Sequence, residues 1–441
     1  MSRATSFWFQ AVLVGFFLCS STAPSSLYDV YQRDWHFSAS MLTTIFAVYA
    51  GTLLATLLAT GSLSDLLGRR PVVVAALAAN AVAAVLFLSA DGVWPLVAAR
   101  ALQGVAMGLA SGPLSAGLIE TQRFGDATSA ALINTVARSG GSAVAGLGVG
   151  ALVQYGPAPT HTVYWVIIAT SAIAAVGILL MPEPSSRSRR PRAWASLRPT
   201  VAFPADVRAA SATMLPCLIA LWALCGLYLS LAPSLIEQLF HSSSPMWGGL
   251  VICLMTGIGA GPSIALRRAE PAAMTMWGCV AILIGVGLSA WGIAMTNGPL
   301  FLVGSGLAGL GLGPAFVGTF GALTGLGKPD TRAGLISMIY LISYLAFSIP
   351  VLIAGVVAGH IGLRTTGLLY AFGVATLVAL TATRLFRANA GPKAPPDSSV
   401  HAAGSLLRQG LTSHSLPGQQ NQHRCDPKQF TIRDAGSATN H

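Results

Sequence analysis

Long apolar stretches alternate with short polar gaps along most of the chain. The hydrocarbon core of a bilayer is about 30 Å thick, so an α-helix needs about 20 predominantly apolar residues to cross it. Twelve stretches meet this requirement, and each one is predicted to be a membrane-spanning helix. They lie near residues 7–28, 38–62, 71–90, 94–119, 127–153, 163–181, 211–237, 247–266, 273–295, 300–323, 331–358 and 364–386.

Two polar stretches divide this pattern. One is rich in Pro, Ser and Arg and separates the first six spans from the last six, and the other follows the twelfth span. Such segments cannot bury enough apolar surface to fold by themselves. We therefore predict an N-terminal six-helix bundle at 1–181, a poorly ordered linker at 182–210, a C-terminal six-helix bundle at 211–387 and a disordered tail at 388–441.

The composition supports an all-α membrane protein. Charged residues make up 9% and hydrophobic residues 54% of the chain, whereas a soluble domain carries about 25% charged residues. So few charges cannot cover a water-exposed surface, but a lipid environment removes that requirement. The N-terminal apolar stretch could be mistaken for a signal peptide. Pro24 would directly follow the cleavage site, so we predict an uncleaved first span.

The positive charges are distributed as topology signals. The net charge of +11 is spread over the gaps between apolar runs, and this excludes a nucleic-acid-binding patch. With the N-terminus in the cytoplasm, nearly every Lys and Arg of the loops falls on the cytoplasmic side, and only Arg33 and Arg364 fall on the other. We therefore expect both termini to be cytoplasmic and the protein to lie in a plasma membrane, the inner membrane of a bacterium.

The chain contains two short motifs, one after the second predicted span and one on the fourth. They read Gly61-x-Leu63-x-Asp65-x-x-Gly68-Arg69-Arg70 and Arg100-x-x-Gln103-Gly104-x-x-Met107-Gly108. Together they cover less than a tenth of the chain, and they resemble the signature motifs of the major facilitator superfamily. The resemblance implies two pseudo-symmetric six-helix bundles around a central site. Gly259 and Arg267-Arg268, after the eighth span, repeat part of the first motif at the same spacing.

The resemblance also implies a gating latch on the cytoplasmic side. Its residues would be Gly61, Asp65, Gly68, Arg69 and Arg70, together with Arg123 and Asp126. A carboxylate such as Asp65 is stabilised near the N-terminus of a neighbouring helix. The alternative is that Arg69 and Arg70 act only as topology charges.

Arg138 is the strongest candidate for substrate contact. It follows the predicted helix start by about eleven residues, which places it about 16 Å deep, and it shares a polar face with Asn134 and Ser142. No acidic residue stands three or four positions away, although a buried arginine costs about 2.5–3.5 kcal/mol. An unpaired arginine favours substrates with a carboxylate or another acceptor-rich group. The alternative is a structural arginine that binds backbone carbonyls.

Arg100, in the fourth span, is the second buried arginine, and Gln103 follows it on the same helix. Asp29 lies near the outer end of the first span, at a similar depth. We therefore predict an Asp29–Arg100 couple that exchanges a proton or a substrate contact. The alternative is that Asp29 is a solvated loop residue.

Two weaker candidates complete the predicted site. Glu237 ends the seventh span and could titrate, although carboxylates at helix ends are usually solvated. Tyr344 belongs to an aromatic stripe with Tyr340 and Phe347 on the eleventh span. Such a stripe forms either a binding wall or ordinary packing.

Several features bear on function. The chain has no phosphate-binding loop, so an ion or substrate gradient must supply the energy. The Gly-rich run 140–150 resembles the antiporter motif of the superfamily without its proline. We therefore expect proton-coupled export of small organic molecules. The alternatives are proton-linked uptake of an organic anion and a receptor that binds without transport.

The remaining expectations concern chemistry and partners. No cluster of His, Asp or Ser predicts an enzyme, and the six cysteines lack metal-ligand spacing. We expect no cofactor, metal or nucleic acid. The expected partners are a small-molecule substrate, protons and the lipid bilayer, and the expected state is a monomer.

Overall fold

Helices account for nearly all of the residues that the computed structural model describes, which are 2–60, 67–121, 127–181, 208, 211–242, 244–327 and 332–390. The first half contains α1 (Arg3–Thr22), α2 (Tyr28–Trp35), α3 (Ala39–Thr60), α4 (Arg69–Leu88), α5 (Val93–Thr121), α6 (Ala127–Val144), α7 (Gly150–Tyr155) and α8 (Pro159–Leu179). The second half contains α9 (Leu215–Ser230), α10 (Ala232–Phe240), α11 (Pro245–Thr256), α12 (Ala260–Ala265), α13 (Pro271–Ala294), α14 (Gly298–Gly325), α15 (Arg332–Ile361) and α16 (Leu363–Ala390).

The twelve predicted spans are confirmed. Eleven helical segments of the described residues are long and apolar enough to cross a membrane, and α9 with α10 forms the twelfth. The predicted seventh span, 211–237, was expected to be continuous, but α9 and α10 meet at a bend of 57°. Pro233 lies in the first turn of α10. A proline has no N–H for the helical ladder, and its ring prevents the preceding turn from continuing.

Two further spans depart from a regular α-helix. The fifth span changes to a five-residue π-helical segment at Ala145–Val149 between α6 and α7. The predicted span 247–266 is interrupted between α11 and α12, where Gly257 and Gly259 lie. Glycine lowers the stability of a helix interior, and both interruptions contain glycines.

The alternating spans define two sides of the membrane. We call the side on which α1 begins the terminal side, and the opposite side the far side. The short helices α2 and α10 therefore both lie on the far side. Each follows a broken span, α1 through the 3-10 turn Ala23–Ser26 and α9 through the bend.

Each half has its own apolar core, and the two cores meet in the middle. The core of the first half also includes five buried residues of the second half, namely Leu227, Leu231, Tyr344, Phe347 and Ala354. The second half has a separate core, built mainly from α9, α11, α13 and α14. Residues up to Asn389 form one compact unit. The linker 182–210, apart from residue 208, and the tail beyond residue 390 lie outside the described residues, so the predicted domain boundaries stay predictions.

Contacts between the halves gather on the far side. Glu237 of α10 binds Arg33 of α2 at 2.6 Å, and the Ser244 hydroxyl donates to Gln154 Oε1 at 2.8 Å. The π segment packs against α11 so tightly that a Cβ on Gly249 would clash with the carbonyl oxygen of Gly146. These contacts hold the two halves together on that side.

Candidate functional site

A cavity of about 210 Å³ lies between the two halves. Its lining residues come from α1, α3, α5 and α6 of the first half and from α9, α11, α14 and α15 of the second. On α1 and α11 they lie at the C-terminal end of the helix. Among the described residues that line it, none is an aspartate or a glutamate. The wall is mostly apolar and aromatic, with a few polar side chains at defined places, which is typical of small-molecule sites.

Arg138 lines this cavity from α6. Ser142, one helical turn away, lines the same wall, while Asn134 lies off the wall and contacts the Ser115 hydroxyl at 3.4 Å. Among the residues that the structure describes, no hydrogen bond or ion pair engages the Arg138 guanidinium. Tyr49 and Tyr344 line the same cavity as Arg138.

Further polar groups of the cavity wall are also without partners. The indole N–H of Trp222 and the hydroxyl of Ser25 are buried and have no hydrogen-bond partner. No hydrogen bond involves the Tyr344 hydroxyl among the described residues either. A buried donor without a partner costs about 1–3 kcal/mol, so such groups in a cavity wall are available to a ligand.

Trp222 organises an aromatic wall on the second half. Its ring centroid lies 5.0 Å from Tyr344, 6.2 Å from Phe316 and 6.3 Å from Phe347. Tyr340 continues the stripe and stacks on Tyr344 at 6.5 Å. Tyr344 and Phe347 thus line the cavity, whereas Tyr340 contacts Tyr344 and is not among the residues of the cavity wall.

Arg100 lies beside the cavity but is only 1% exposed, and its hydrogen bonds are all made to neighbouring protein groups. Its Nη1 donates to the carbonyl oxygen of Ser21 at 2.8 Å and to Gln103 Oε1 at 2.7 Å, and its Nε donates to the Tyr28 hydroxyl. The rings of Tyr28, Phe46 and Tyr49 surround the guanidinium at 5.0–5.3 Å. We call this arrangement, Arg100 with Tyr28, Phe46 and Tyr49, the arginine cage.

The glycines of the second motif explain how the cage forms. A Cβ on Gly104 would clash with the Thr52 side chain and the carbonyl of Tyr49, and one on Gly108 would lie 2.8 Å from the carbonyl of Leu53. Glycine at both positions therefore lets α5 approach α3 closely. This approach brings the rings of α3 against Arg100.

Gln103 and Asp29 were also predicted to belong to the site, and neither is found in the described cavity wall. Gln103 does not line the cavity; it accepts from Arg100 and donates through Nε2 to the carbonyl of Ser20 at 3.0 Å. The backbone of Asp29 belongs to α2, but its side chain lies outside the described residues, so the Asp29–Arg100 couple stays a prediction.

Glu237 is away from the cavity, in a polar pocket of the far side. It binds Arg33, which the sequence predicts only to be a positively charged loop residue. The side chains of Arg33 and Glu237 are 45% and 33% exposed, so the pair is largely solvated. It lies across the two halves, where a change in their separation would break it.

The described part of the predicted latch ties together elements of the first half. Arg69 binds Glu120, at the end of α5, at 2.7 Å. Arg70 donates through Nε to the carbonyl of Ile178 at 3.1 Å and also to that of Leu179, so it caps α8. Gly68 has a φ of 95°, which favours glycine. Gly61, Asp65, Arg123 and Asp126 lie outside the described residues, and a latch across the halves stays a prediction.

Sequence reasoning missed several of these groups. Trp222, Phe46 and Tyr49 lie in helices without charged residues, so no charge pattern separates them from lipid-facing rings. The Arg33–Glu237 pair joins residues far apart in the chain. Among the described residues, no group of three or more His, Cys, Asp and Glu side chains is placed to hold a metal ion.

The sequence pattern of one family matches residues 10–295, which is well over half of the chain, and that family is the Major Facilitator Superfamily. The chain belongs to this superfamily. The membership makes the protein a membrane transporter and not an enzyme. No curated protein matches the chain in sequence.

Solved structures of the superfamily share this fold. One is the nucleoside transporter NupG, with a TM-score of 0.69 and 14% identity over 86% of this chain and 100% of that one. Another is a bacterial homologue of the human lysosomal transporter Spinster, in an inward-facing and unoccupied conformation. Its TM-score is 0.69, with 13% identity over 89% of this chain and 99% of that one. At such identities the likeness concerns the fold alone.

Proposed function

We propose that this transporter exports small organic molecules in exchange for protons, by alternating access around the central cavity. The observation that carries the proposal is a cavity whose wall is contributed by four helices of each half. A site between two halves can be exposed to either side when the halves rock against each other.

The contacts on the far side support a specific state. With both termini cytoplasmic, as the distribution of Lys and Arg favours, the far side is the outside. The contacts between α2 and α10 and between the π segment and α11 then close the outer side of the cavity. The Spinster homologue was solved in an inward-facing conformation, and we assign the same state to this structure.

Support for exchange with protons comes from the fifth span. Its Gly-rich run forms the π segment Ala145–Val149, which packs against α11 across the two halves. A π segment in a helix often marks a functional position. This departure from a regular α-helix fits a moving contact between the halves, which alternating access needs at each turnover.

The experiment is substrate-triggered proton release from energised everted vesicles that contain the protein. Anionic, neutral and cationic compounds are screened with the wild type, Arg138→Gln and Arg364→Gln. Arg364 is exposed and donates to the carbonyl of Ala294, away from the cavity, so it is a matched control. We expect release by at least one compound, lost in Arg138→Gln and kept in Arg364→Gln. Binding of a compound without flux in either direction would refute transport.

A second candidate is proton-linked uptake of an organic anion. The observation that favours it is the unpaired guanidinium of Arg138 in a cavity whose described wall holds no carboxylate. Uptake of labelled anions by whole cells, without proton release from everted vesicles, would decide for this alternative.

A further inference from the structure

The charge in the central cavity is of one sign. Arg138 brings a guanidinium into the cavity, and no aspartate or glutamate is found among the described residues of the wall. A cationic ligand would therefore be repelled by the guanidinium, with no carboxylate among the described wall residues to offset the repulsion. An anion would neutralise the guanidinium and gain charge-assisted hydrogen bonds, which are stronger than neutral ones.

Hydroxyl groups and one indole N–H share the cavity with the cation, and each of them can donate a hydrogen bond. The hydroxyls of Thr135, Ser139 and Ser142 lie on the same wall of α6 as Arg138. The indole N–H of Trp222 is buried without a partner on the opposite half. A carboxylate has two oxygens that accept several hydrogen bonds at once, so it can engage both halves.

Aromatic side chains form much of the rest of the wall, beside several leucines. Phe46 lies on the first half, and Trp222, Phe316, Tyr344 and Phe347 on the second. Trp222 contacts three of these rings in tilted or edge-to-face arrangements. Aromatic rings attract another ring in stacked or edge-to-face geometry, beyond the area they bury.

The size of the cavity limits the ligand. An apolar cavity of about 150 Å³ in another protein binds one benzene molecule. The present cavity of about 210 Å³ therefore has room for one aromatic ring and a short acidic group.

We propose that the central cavity binds monocyclic aromatic carboxylates, with the carboxylate on Arg138 and the ring against the Trp222 wall. This inference deepens the proposed function and rests on it for the role of the cavity as the transport site. The two can fail separately, because binding is measured without flux.

The test is isothermal titration calorimetry of the full-length protein in lipid nanodiscs, with empty nanodiscs as the blank. The probes share one size and differ in charge or ring: benzoate, benzamide, benzylamine and cyclohexanecarboxylate. We expect benzoate to bind at least about tenfold more tightly than benzamide or benzylamine, because only benzoate pairs with the guanidinium. Cyclohexanecarboxylate should bind about threefold to tenfold more weakly than benzoate.

Variants assign the binding to the two walls. Arg138→Gln should lose at least about tenfold in benzoate affinity, and Arg138→Lys should keep part of it, since it retains the charge. Trp222→Leu should weaken benzoate more than cyclohexanecarboxylate. Trp291→Leu is the control, because Trp291 is exposed toward lipid on α13. Each variant is first checked for a monodisperse elution profile.

Three results would overturn the inference: equal binding of benzylamine and benzoate, equal benzoate affinity in the wild type and Arg138→Gln, or no acid bound at millimolar concentration. Flux of neutral or cationic compounds that does not depend on Arg138 would also overturn it while leaving transport intact. Benzoate binding without any flux would uphold the inference and refute the proposed function.

Discussion

Arg100 and Arg138 both place a guanidinium within the membrane, and their surroundings differ. Arg100 is enclosed by the arginine cage and bonded to three oxygen atoms, whereas Arg138 faces the cavity without a described partner. Hydrogen bonds and ring contacts offset the desolvation of Arg100 inside the protein itself. Arg138 keeps this cost until a ligand binds. The first side chain therefore stabilises the fold, and the second is available for function.

Removing the caged charge should destabilise the protein. Arg100→Gln loses three ring contacts and the bond to the Ser21 carbonyl, which together contribute on the order of 3 kcal/mol. We expect the apparent melting temperature in detergent, followed by thermal unfolding, to fall by several degrees. The melting temperature of Arg100→Lys should also fall, because an ammonium lacks the planar set of N–H donors with which the guanidinium binds its partners. An unchanged melting temperature in both variants would show that the cage is not structural.

Removing the cavity charge should have the opposite effect on stability. Arg138→Gln eliminates an unpaired charge, so its melting temperature without ligand should equal or exceed that of the wild type. The stabilisation that an anionic ligand gives to the wild type should disappear. The same thermal unfolding experiment, with and without benzoate, measures both effects. A large loss of stability in Arg138→Gln would instead indicate a structural arginine.

At the scale of elements, the two halves repeat the same irregularity. A span breaks near the far side, a short helix follows, and that helix ends in a histidine with positive φ. The backbone angles are φ 48° and ψ 37° at His36, and φ 49° and ψ 36° at His241. Each cap N–H donates to the carbonyl of a residue in the last turn, Gln32 and Glu237 respectively. This repeat in backbone geometry adds to the faint sequence repeat.

The contact between the π segment and α11 gives a prediction at this scale. Gly249→Ala places a Cβ against the carbonyl of Gly146, a backbone atom that cannot move aside without shifting a helix. We expect the far side to open and transport to fall by at least about tenfold, because a lost closing contact of 1.4 kcal/mol or more changes the conformational equilibrium by that factor. Flux in proteoliposomes measures this.

Gly148→Ala is the matched control for that variant. Gly148 belongs to the same π segment but is exposed, and a Cβ there would meet only the Val144 side chain, at 3.9 Å. Its flux should equal that of the wild type. Equal losses in both variants would mean that the π segment itself, and not its contact with α11, is sensitive to substitution.

At the scale of the whole molecule, the Arg33–Glu237 pair closes the far side across the two halves. The pair is largely solvated, so it contributes at most about 1 kcal/mol to stability. It is made only when the halves meet on that side. Its main effect is therefore on the balance between conformations.

Charge exchange tests this role. Arg33→Glu alone should widen the far side through repulsion from Glu237, and the double variant with Glu237→Arg should restore the wild-type distance distribution. Spin labels on the far ends of α3 and α15, measured by double electron–electron resonance, report the separation. The melting temperature should change little in either variant. No change of distance in Arg33→Glu would show that other contacts hold this side closed.

The sequence predicted most of the fold and part of the site. Spans are set by local composition, so all twelve could be found, and the cost of a buried charge singled out Arg100 and Arg138. Neither the arginine cage nor the Trp222 wall could be predicted, because their partners come from other helices and aromatic residues are equally common on lipid-facing surfaces. The Arg33–Glu237 pair joins two halves of the chain, and composition carries no information on such pairings.

If the cavity is the transport site that we propose, the unpaired guanidinium of Arg138 would also make transport responsive to voltage. Moving one elementary charge through a full potential of 100 mV changes the energy by about 2.3 kcal/mol. An empty cavity carries that positive charge, whereas a cavity filled with a monoanion is neutral. A membrane potential that is negative inside therefore acts on the empty carrier and draws its site toward the cytoplasm. The resting cell would thus bias the empty transporter to collect anions from the inside, which would favour the export that we propose.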